Sequence, residues 1–437
     1  MVFIEFCTMV KRIYSLKIKH TLQSTFQSDL FRNVAGTFIT KLVLIVIGLL
    51  TTVTVTHVLG PEGRGFFAVA TTIMGMGVQF GNLGIHASNT YTVSQDYNKL
   101  SILMGNSLMF SFIFGGVCAI IAWIFFLLYP EITPIGKELF SVTLIWIPIG
   151  LAYLFVQNLL IGIYEFKIYN LIEIVVKLLN LTLISLVIVL NNISVENIFS
   201  MGLISMFFGL IWVVIVLYKK FPKHPKISIQ LFVNNITYGF KAYLAALFSF
   251  MVLRIDLIMI QYMLGPKQVG YYSISATMAD MVYMLPVVVG TVLFPKLSAL
   301  SDVNQKWAIT RKIAFIIGCV MLIIILIATI FAKYIITILF GNTFIPAVSP
   351  FIWLMPGIFM LSINTIYMNY FASMGMPNVT VYAPGLTSIV NILLNFKLIN
   401  LYGIEGASLS SCISYGMMLF MSYLYQRKRR SDYAETV

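Results

Sequence analysis

Twelve stretches, each long and apolar enough to cross a lipid bilayer, follow one another along this chain, and no other feature narrows its fold as much. A hydrocarbon core about 30 Å thick needs about 20 apolar residues of helix. Backbone inside that core must satisfy its own hydrogen bonds, which leaves helices or closed barrels, and runs of this length select helices. They lie near residues 31–57, 66–88, 101–128, 139–162, 171–190 and 197–218, then near 235–262, 270–294, 313–332, 351–373, 379–399 and 405–425. The stretch 333–350 has room to add turns to its neighbours. With 59% hydrophobic and 10% charged residues, the 437 positions hold too little polar surface to cover a water-soluble globule.

Basic residues choose the orientation, because cytoplasmic loops carry an excess of Lys and Arg. An even number of crossings puts both termini on one side. Segments on that side carry Lys11, Arg12, Lys17, Lys19, Lys99, Lys167, Lys219, Lys220, Lys223, Lys226, Lys296, Lys306, Arg311, Lys312 and the tail Arg427 to Arg430. The opposite side carries only Arg64, Lys137, Lys267 and Lys333. Both termini are therefore expected in the cytoplasm. The tail "QRKRR" reads as the positive-inside anchor, so the net charge of +13 implies no nucleic-acid partner. Residues 1–30 begin apolar and turn basic, without an apolar core and small-residue cleavage site in the order of a signal peptide, and read as a cytoplasmic segment. Cys7, Cys118, Cys319 and Cys412 are far apart, with no CxxC or Cys/His spacing. They read as small packing residues, and no metal or cofactor is expected.

The chain contains one phrase twice. "LGPEGRGFF" at 59–67 and "LGPKQVGYY" at 264–272 keep Leu-Gly-Pro, three variable residues, Gly and two aromatics in register at a constant offset of 205. Both follow a long apolar run, at the turn between the first and second helix of a six-helix unit. Gly-Pro stops a helix and turns the chain, and aromatics anchor the next helix at the membrane interface. Six crossings return a chain to its starting side, so the halves are parallel repeats related by an axis along the membrane normal. The expectation is an all-α integral membrane protein of about 12 transmembrane helices in two parallel six-helix halves around a central cavity. Its parts are a cytoplasmic segment at 1–30, halves at 31–218 and 231–426, a linker at 219–230 and a tail at 427–437.

With "FRNVAGTFITK" opening the first helix, "LGPEGRGFFAVATTI" leading the second, "RIDLIMIQYMLGPKQVGYYSISATM" across the seventh and eighth and "LFPKLSALSD" after the eighth, the chain resembles the polysaccharide flippases. These share a superfamily with the multidrug and toxic-compound extrusion transporters and the lipid II flippases. The resemblance runs from about Leu30 to Gln426. It implies passage of an undecaprenyl-pyrophosphate-linked oligosaccharide from the inner to the outer leaflet of a bacterial cytoplasmic membrane, for assembly into O-antigen, capsule or exopolysaccharide. The partners implied are that lipid-linked substrate, membrane lipids, and the polysaccharide polymerase and glycosyltransferases.

Charges inside the spans are the candidate site residues, since each costs about 2.5 to 3.5 kcal/mol at a helix centre and normally faces a bundle interior or a wet cavity. Lys41 shares a polar face of the first helix with Asn33, Thr37, Thr40, Gly48 and Thr51. Glu173 and Lys177 stand four apart in the fifth helix, where they either pair with each other or serve the pathway. Arg254 and Asp256 are two apart and face different ways, and Asp280 lies on a Ser/Thr stripe of the eighth helix. Lys41, Arg254, Lys241 and Asn391 are the candidate substrate contacts, because a cation in a dry-walled cavity attracts a diphosphate and Arg grips it bidentately. Asp256, Asp280, Glu173 and Lys177 are candidates for ion coupling, or for charge pairs that only fix helix register.

Pro148, Pro286, Pro356 and Pro384 fall near helix middles, where each removes a backbone hydrogen bond and allows a kink. Kinked helices in two halves fit rocking of one half against the other. The outward segments are too short for the aqueous catalytic domain of a glycosyltransferase, so no enzymatic activity is expected. An ion-coupled drug or metabolite antiporter on the same fold is the remaining alternative.

Overall fold

The computed structural model describes residues 21–130, 134–221 and 224–435, and the regular structure among them is helical. Cys7, Lys11, Arg12, Lys17, Lys19, Glu131 and Lys223 lie outside the described residues, as do the side chains of Asn33, Thr37 and Arg430. The helices are α1 (Thr21–Asn82), α2 (Ile85–Gln95), α3 (Leu100–Leu128), α4 (Lys137–Gly162), α5 (Phe166–Val189) and α6 (Val195–Lys220). They continue with α7 (Ile229–Leu264), α8 (Pro266–Ser298), α9 (Val303–Ile330), α10 (Ala332–Phe340), α11 (Val348–Ser373) and α12 (Val379–Glu435).

Ten described helical stretches are long and apolar enough to cross a membrane. The two longest, in α1 and α12, are each interrupted by a glycine outside the helical region, Gly60 and Gly403, both at φ 65°. Each break makes two limbs, so the described residues form twelve crossing segments. The stretch 333–350 adds little to its neighbours; it forms the short α10 and a 3-10 turn at Asn342–Ala347. The second crossing is likewise longer and more broken than the sequence suggests. It begins after Gly60, runs to Asn82, and resumes as α2 beyond Leu83 and Gly84, which take positive φ of 45° and 76°.

Apolar surface outside the core shows where lipid belongs. Leu42, Val46 and Leu50 on α1, Ile113, Ile120 and Ile121 on α3, and Leu322, Ile323 and Leu326 on α9 are all exposed at helical spacing. Such continuous apolar faces are not sustained in water. Cys118 of α3 and Cys319 of α9 lie on this exposed surface, and Cys412 is half-buried. The chain is a multi-pass membrane protein.

The interior has separate centres. In the first half Leu103, Val156, Leu159, Ile172 and Val213 join α3, α4, α5 and α6. In the second, Tyr272, Phe340, Phe344, Phe351, Tyr370 and Phe371 fill the space among α8, α10 and α11. This second core reaches across to Ala68, Val69, Ala70, Trp146 and Phe199 of the first half.

The repeated phrase explains the main junction between halves. Gly60 (φ 65°, ψ −175°) and Gly265 (φ 86°, ψ 174°) adopt a backbone region open in practice only to glycine. Each turns the chain into a helix that starts at proline. The helices then meet through their glycines: a Cβ on Gly65 would lie 1.8 Å from the Pro266 carbonyl oxygen, and one on Gly270 would lie 1.8 Å from that of Pro61. The contact is reciprocal, as a two-fold relation between repeats requires.

Candidate functional site

The α7–α8 pair carries Arg254, Asp256 and Asp280, three charges well inside the apolar spans of the second half. Arg254 Nη2 donates to Asp280 Oδ2 at 2.5 Å, and the two side chains keep 30% and 39% of their surface exposed. Arg254 stands about 16 Å along the helix from the Gly265 turn, at 1.5 Å per residue, which is near mid-membrane. A half-open ion pair at that depth is expensive unless it borders water or a ligand.

Asp256 has another environment. It is 3% exposed and accepts from the Tyr272 hydroxyl, from Leu257 N at 2.8 Å and from Ser411 Oγ at 3.4 Å. Its lone pairs are occupied by α7, α8 and α12, so in this conformation it acts as a clasp within the second half. Tyr272 is the second aromatic of the repeated phrase, which connects the turn to the buried acid.

A third charge enters from the first half. Arg64, read in the sequence as an outward loop residue, is 7% exposed in α1. Its Nη2 reaches Thr277 Oγ1 at 3.5 Å and its guanidinium lies 5.6 Å from the Phe67 ring centroid, while Nε has no partner among the described residues. Thr277 and Asp280 are one turn apart on the same face of α8. Guanidinium groups of both halves thus approach one face that holds a single carboxylate, which leaves net positive charge. The signal for Arg64 was available in the repeat: its counterpart 205 residues on is Val269, at 0% exposure.

The other candidates are dispersed. Lys41 is half-buried and makes no hydrogen bond or ion pair among the described residues. It lies roughly 28 Å along α1 from the Gly60 turn, so it sits about 12 Å deeper than Arg254 when both are measured from the touching turns. Arg254 is thus paired with Asp280, and Lys41 stands at another level of the bundle. Lys241 is exposed on α7, roughly 36 Å along the helix from the Gly265 turn. Asn391 is fully buried, donating to Ser414 Oγ at 3.1 Å and accepting from Asn395 Nδ2 at 2.9 Å, so it joins the two limbs of α12. Glu173 accepts from Gln157 Nε2 at 2.5 Å and Tyr153 hydroxyl at 3.2 Å, whereas Lys177 is exposed, so the two do not form the pair their spacing suggests. Lys306, counted among loop cations, is buried with Nζ on the Ser373 carbonyl at 3.0 Å.

The halves close on each other on both sides of the Arg254–Asp280 level. One closure is the Gly65–Gly270 contact. The other joins α2 to α7: a Cβ on Gly84 would lie 2.4 Å from the Gly239 carbonyl oxygen, and the Tyr91 and Tyr238 rings stack at 4.4 Å. Beside them Asn235 donates to Asn89 Oδ1 at 3.2 Å and accepts from Thr92 Oγ1 at 2.9 Å, while Asn89 donates to Ser107 at 2.8 Å. These polar groups were not legible in the sequence, since each is a common residue whose partner lies on another helix.

A family model described as polysaccharide biosynthesis protein matches residues 30–301. The chain belongs to that family. The match takes in the first half together with α7 and α8, so both Gly-Pro turns and the Arg254–Asp280 pair fall inside it. Among curated proteins this family member is 26% identical over 286 residues to an uncharacterized membrane protein of Methanocaldococcus jannaschii. That alignment takes in 63% of the chain and 56% of the relative. Among solved structures it is similar to a multidrug resistance MATE family transporter of the MOP superfamily in an inward-facing conformation, with TM-score 0.71, 15% identity and coverage of 90% of this chain and 96% of that one. It is also similar to the lipid II flippase MurJ in an inward closed conformation, with TM-score 0.67, 15% identity and coverage of 89% and 87%. At these identities the likeness is one of fold. The chain shares the fold of these two neighbours, one described as a multidrug resistance transporter and the other as a lipid II flippase.

Proposed function

We propose that this polysaccharide-biosynthesis family member is a flippase that moves undecaprenyl-pyrophosphate-linked oligosaccharide units from the inner to the outer leaflet of the cytoplasmic membrane by alternating access. The family match over 30–301 carries the reading. It is supported by the net positive face of α8 between two closures, which suits a diphosphate. Asp280 holds Arg254 while the site is empty, and the substrate diphosphate displaces that carboxylate. Arg64 contributes from the first half, and Lys41 and Lys241 draw the anion at the mouth. The polymerase and glycosyltransferases are the partners that consume and supply the unit. The protein's own role is non-enzymatic, since no covalent step is needed.

Deletion of the protein is expected to trap the lipid-linked glycan in the inner leaflet, measured by its resistance to an impermeant glycan-modifying enzyme in intact cells. Unchanged surface polysaccharide with hypersensitivity to drugs would replace this reading with the antiporter, which the MATE likeness of the fold keeps in view.

Cytoplasmic termini belong to the same proposal and put the Gly60 and Gly265 turns outside. In a background with the native cysteines replaced, cysteines at the exposed Glu62 and Lys267 should react with an impermeant thiol reagent in intact cells. Cysteines at the exposed Asn98 and Lys226 should react only after permeabilisation. Lys306 is unsuitable as an inner-face position because it is buried. The reverse pattern would invert the orientation.

A further inference from the structure

At the end of α12, away from the Arg254–Asp280 level, a cavity of about 710 Å³ is lined by Met374 and Pro377 of the α11–α12 connection, Tyr382 at the start of α12, and Met421, Leu424, Tyr425, Lys428 and Arg429 near its end. The break at Gly403 folds α12 into two limbs, and the cavity occupies the gap where their free ends and the preceding turn meet. Its volume lies within the range of about 300 to 1,000 Å³ typical of small-molecule sites.

The order of the lining groups along the second limb is informative. Met421, Leu424, Tyr425 and Lys428 recur at three- and four-residue spacing and therefore share one face. Along that face, over about 10 Å at 1.5 Å per residue, the lining passes from thioether and aliphatic carbon to phenol to ammonium and guanidinium. Tyr382 stands with Tyr425 in the middle, and Met374 and Pro377, beyond the level where Phe371 meets Tyr425, close the wall at the basic end. A phospholipid at a membrane interface shows the same sequence of chemistry in depth: acyl carbon, then glycerol esters, then phosphate. Basic pockets between transmembrane helices suit anionic headgroups, and amphipathic Tyr rings suit the level between.

The geometry points to this cavity as a binding site for an anionic phospholipid of the bilayer, with the phosphate on Lys428 and Arg429 and the upper acyl carbons against Met421 and Leu424. A contrast within the same half supports the charge selectivity. The cavity of about 440 Å³ near the other end of this limb, lined by Trp353, Gln268 and Glu405 among others, has Glu405 as its charged residue and no cation. Arg427 adjoins Lys428 in sequence and is equally basic, yet it projects about 100° away around the helix and is absent from the lining. A bound lipid would tie the ends of both α12 limbs to α11. The site is independent of the substrate reading, because it needs only a phosphate ester and acyl chain.

The test uses purified full-length protein, with phosphatidylglycerol and phosphatidylcholine added in turn, read by retained lipid in native mass spectrometry and by thermal unfolding. Phosphatidylglycerol should be retained and should raise the unfolding midpoint, and phosphatidylcholine should do neither. Lys428→Ala/Arg429→Ala should weaken retention about twenty-five-fold, from two phosphate contacts of about fivefold each. Met421→Trp, which fills the cavity and keeps both cations, should abolish retention without lowering the midpoint in phosphatidylcholine. Arg427→Ala should change nothing. Equal weakening by Arg427→Ala, or full retention by Met421→Trp, would reduce the effect to diffuse surface charge and overturn the site. Displacement of phosphatidylglycerol by an equimolar polyprenyl pyrophosphate would overturn the assignment to a bilayer phospholipid, and absence of such competition supports it.

Discussion

Replacing Gly65 or Gly270 with alanine should cut glycan export by roughly a hundredfold while leaving the protein inserted at normal abundance. The added carbon would fall 1.8 Å from a backbone carbonyl oxygen of the other half, about half of an ordinary contact distance. No side chain can rotate aside, so the two helices must separate by more than an ångström. Overpacking costs about 1 to 3 kcal/mol, and a backbone collision takes the upper end. Since the strain acts on one arrangement of the halves and leaves each half's own core intact, it shifts the equilibrium between conformations. Three kcal/mol corresponds to a population change of roughly 150-fold. Gly116→Ala is the matched control, because a Cβ there meets nothing within 4 Å, and it should export normally. Export equal to that of the control would mean that the closure is not part of the cycle. Parallel loss of abundance and export would make the contact a folding element instead.

Arg254→Ala should have the second large effect, and its pattern with Asp280 variants decides what the pair is for. Removing the guanidinium leaves a carboxylate unpaired near mid-membrane. The side chains are 30% and 39% exposed, so the stability loss lies between the small value of a surface pair and the 3 to 5 kcal/mol of a fully buried one, about 2 kcal/mol. Membrane abundance should therefore fall, and Arg254→Gln/Asp280→Asn, which removes both charges, should restore it. Export should remain depressed in that double variant by tenfold to a hundredfold, the cost of about 1.5 to 3 kcal/mol for one charge-assisted contact with the diphosphate. Arg254→Lys should recover part of it, since ammonium keeps the charge and loses the planar fork. Normal export by the uncharged double variant would make the pair a register clasp and remove Arg254 from the substrate path.

Both expectations depend on contacts between segments far apart in the chain, and here the sequence was informative in one respect only. The repeated phrase located the Gly60 and Gly265 turns, because a glycine with φ near +60° to +90° followed by proline is a local requirement that leaves a local trace. That Gly65 and Gly270 meet each other is not local, and the five-residue spacing from each turn is its only trace. Lys41, Arg254 and Asp280 stood out for a similar reason, since a charge in an apolar run is conspicuous. Arg64 did not, because it lies four residues from a turn and reads as loop until the packing of α1 on α8 buries it.

The sequence by itself determined that the chain crosses a membrane, that it does so in two six-helix halves, and where the main turns fall. Each of these follows from a sum over about 20 neighbouring residues or from the conformational demands of one residue, so no knowledge of distant packing is needed. The tertiary structure decided the partners. It paired Arg254 with Asp280 of the next helix and enclosed Asp256 among α7, α8 and α12. It joined Glu173 to Gln157 and Tyr153 of α4 in place of Lys177 one turn away, and it buried Lys306 on a backbone carbonyl and Asn391 on Ser414. A hydrogen bond or ion pair is a contact of about 3 Å whose existence depends on the azimuth of two helices at once, and that azimuth is set by the packing of all the others.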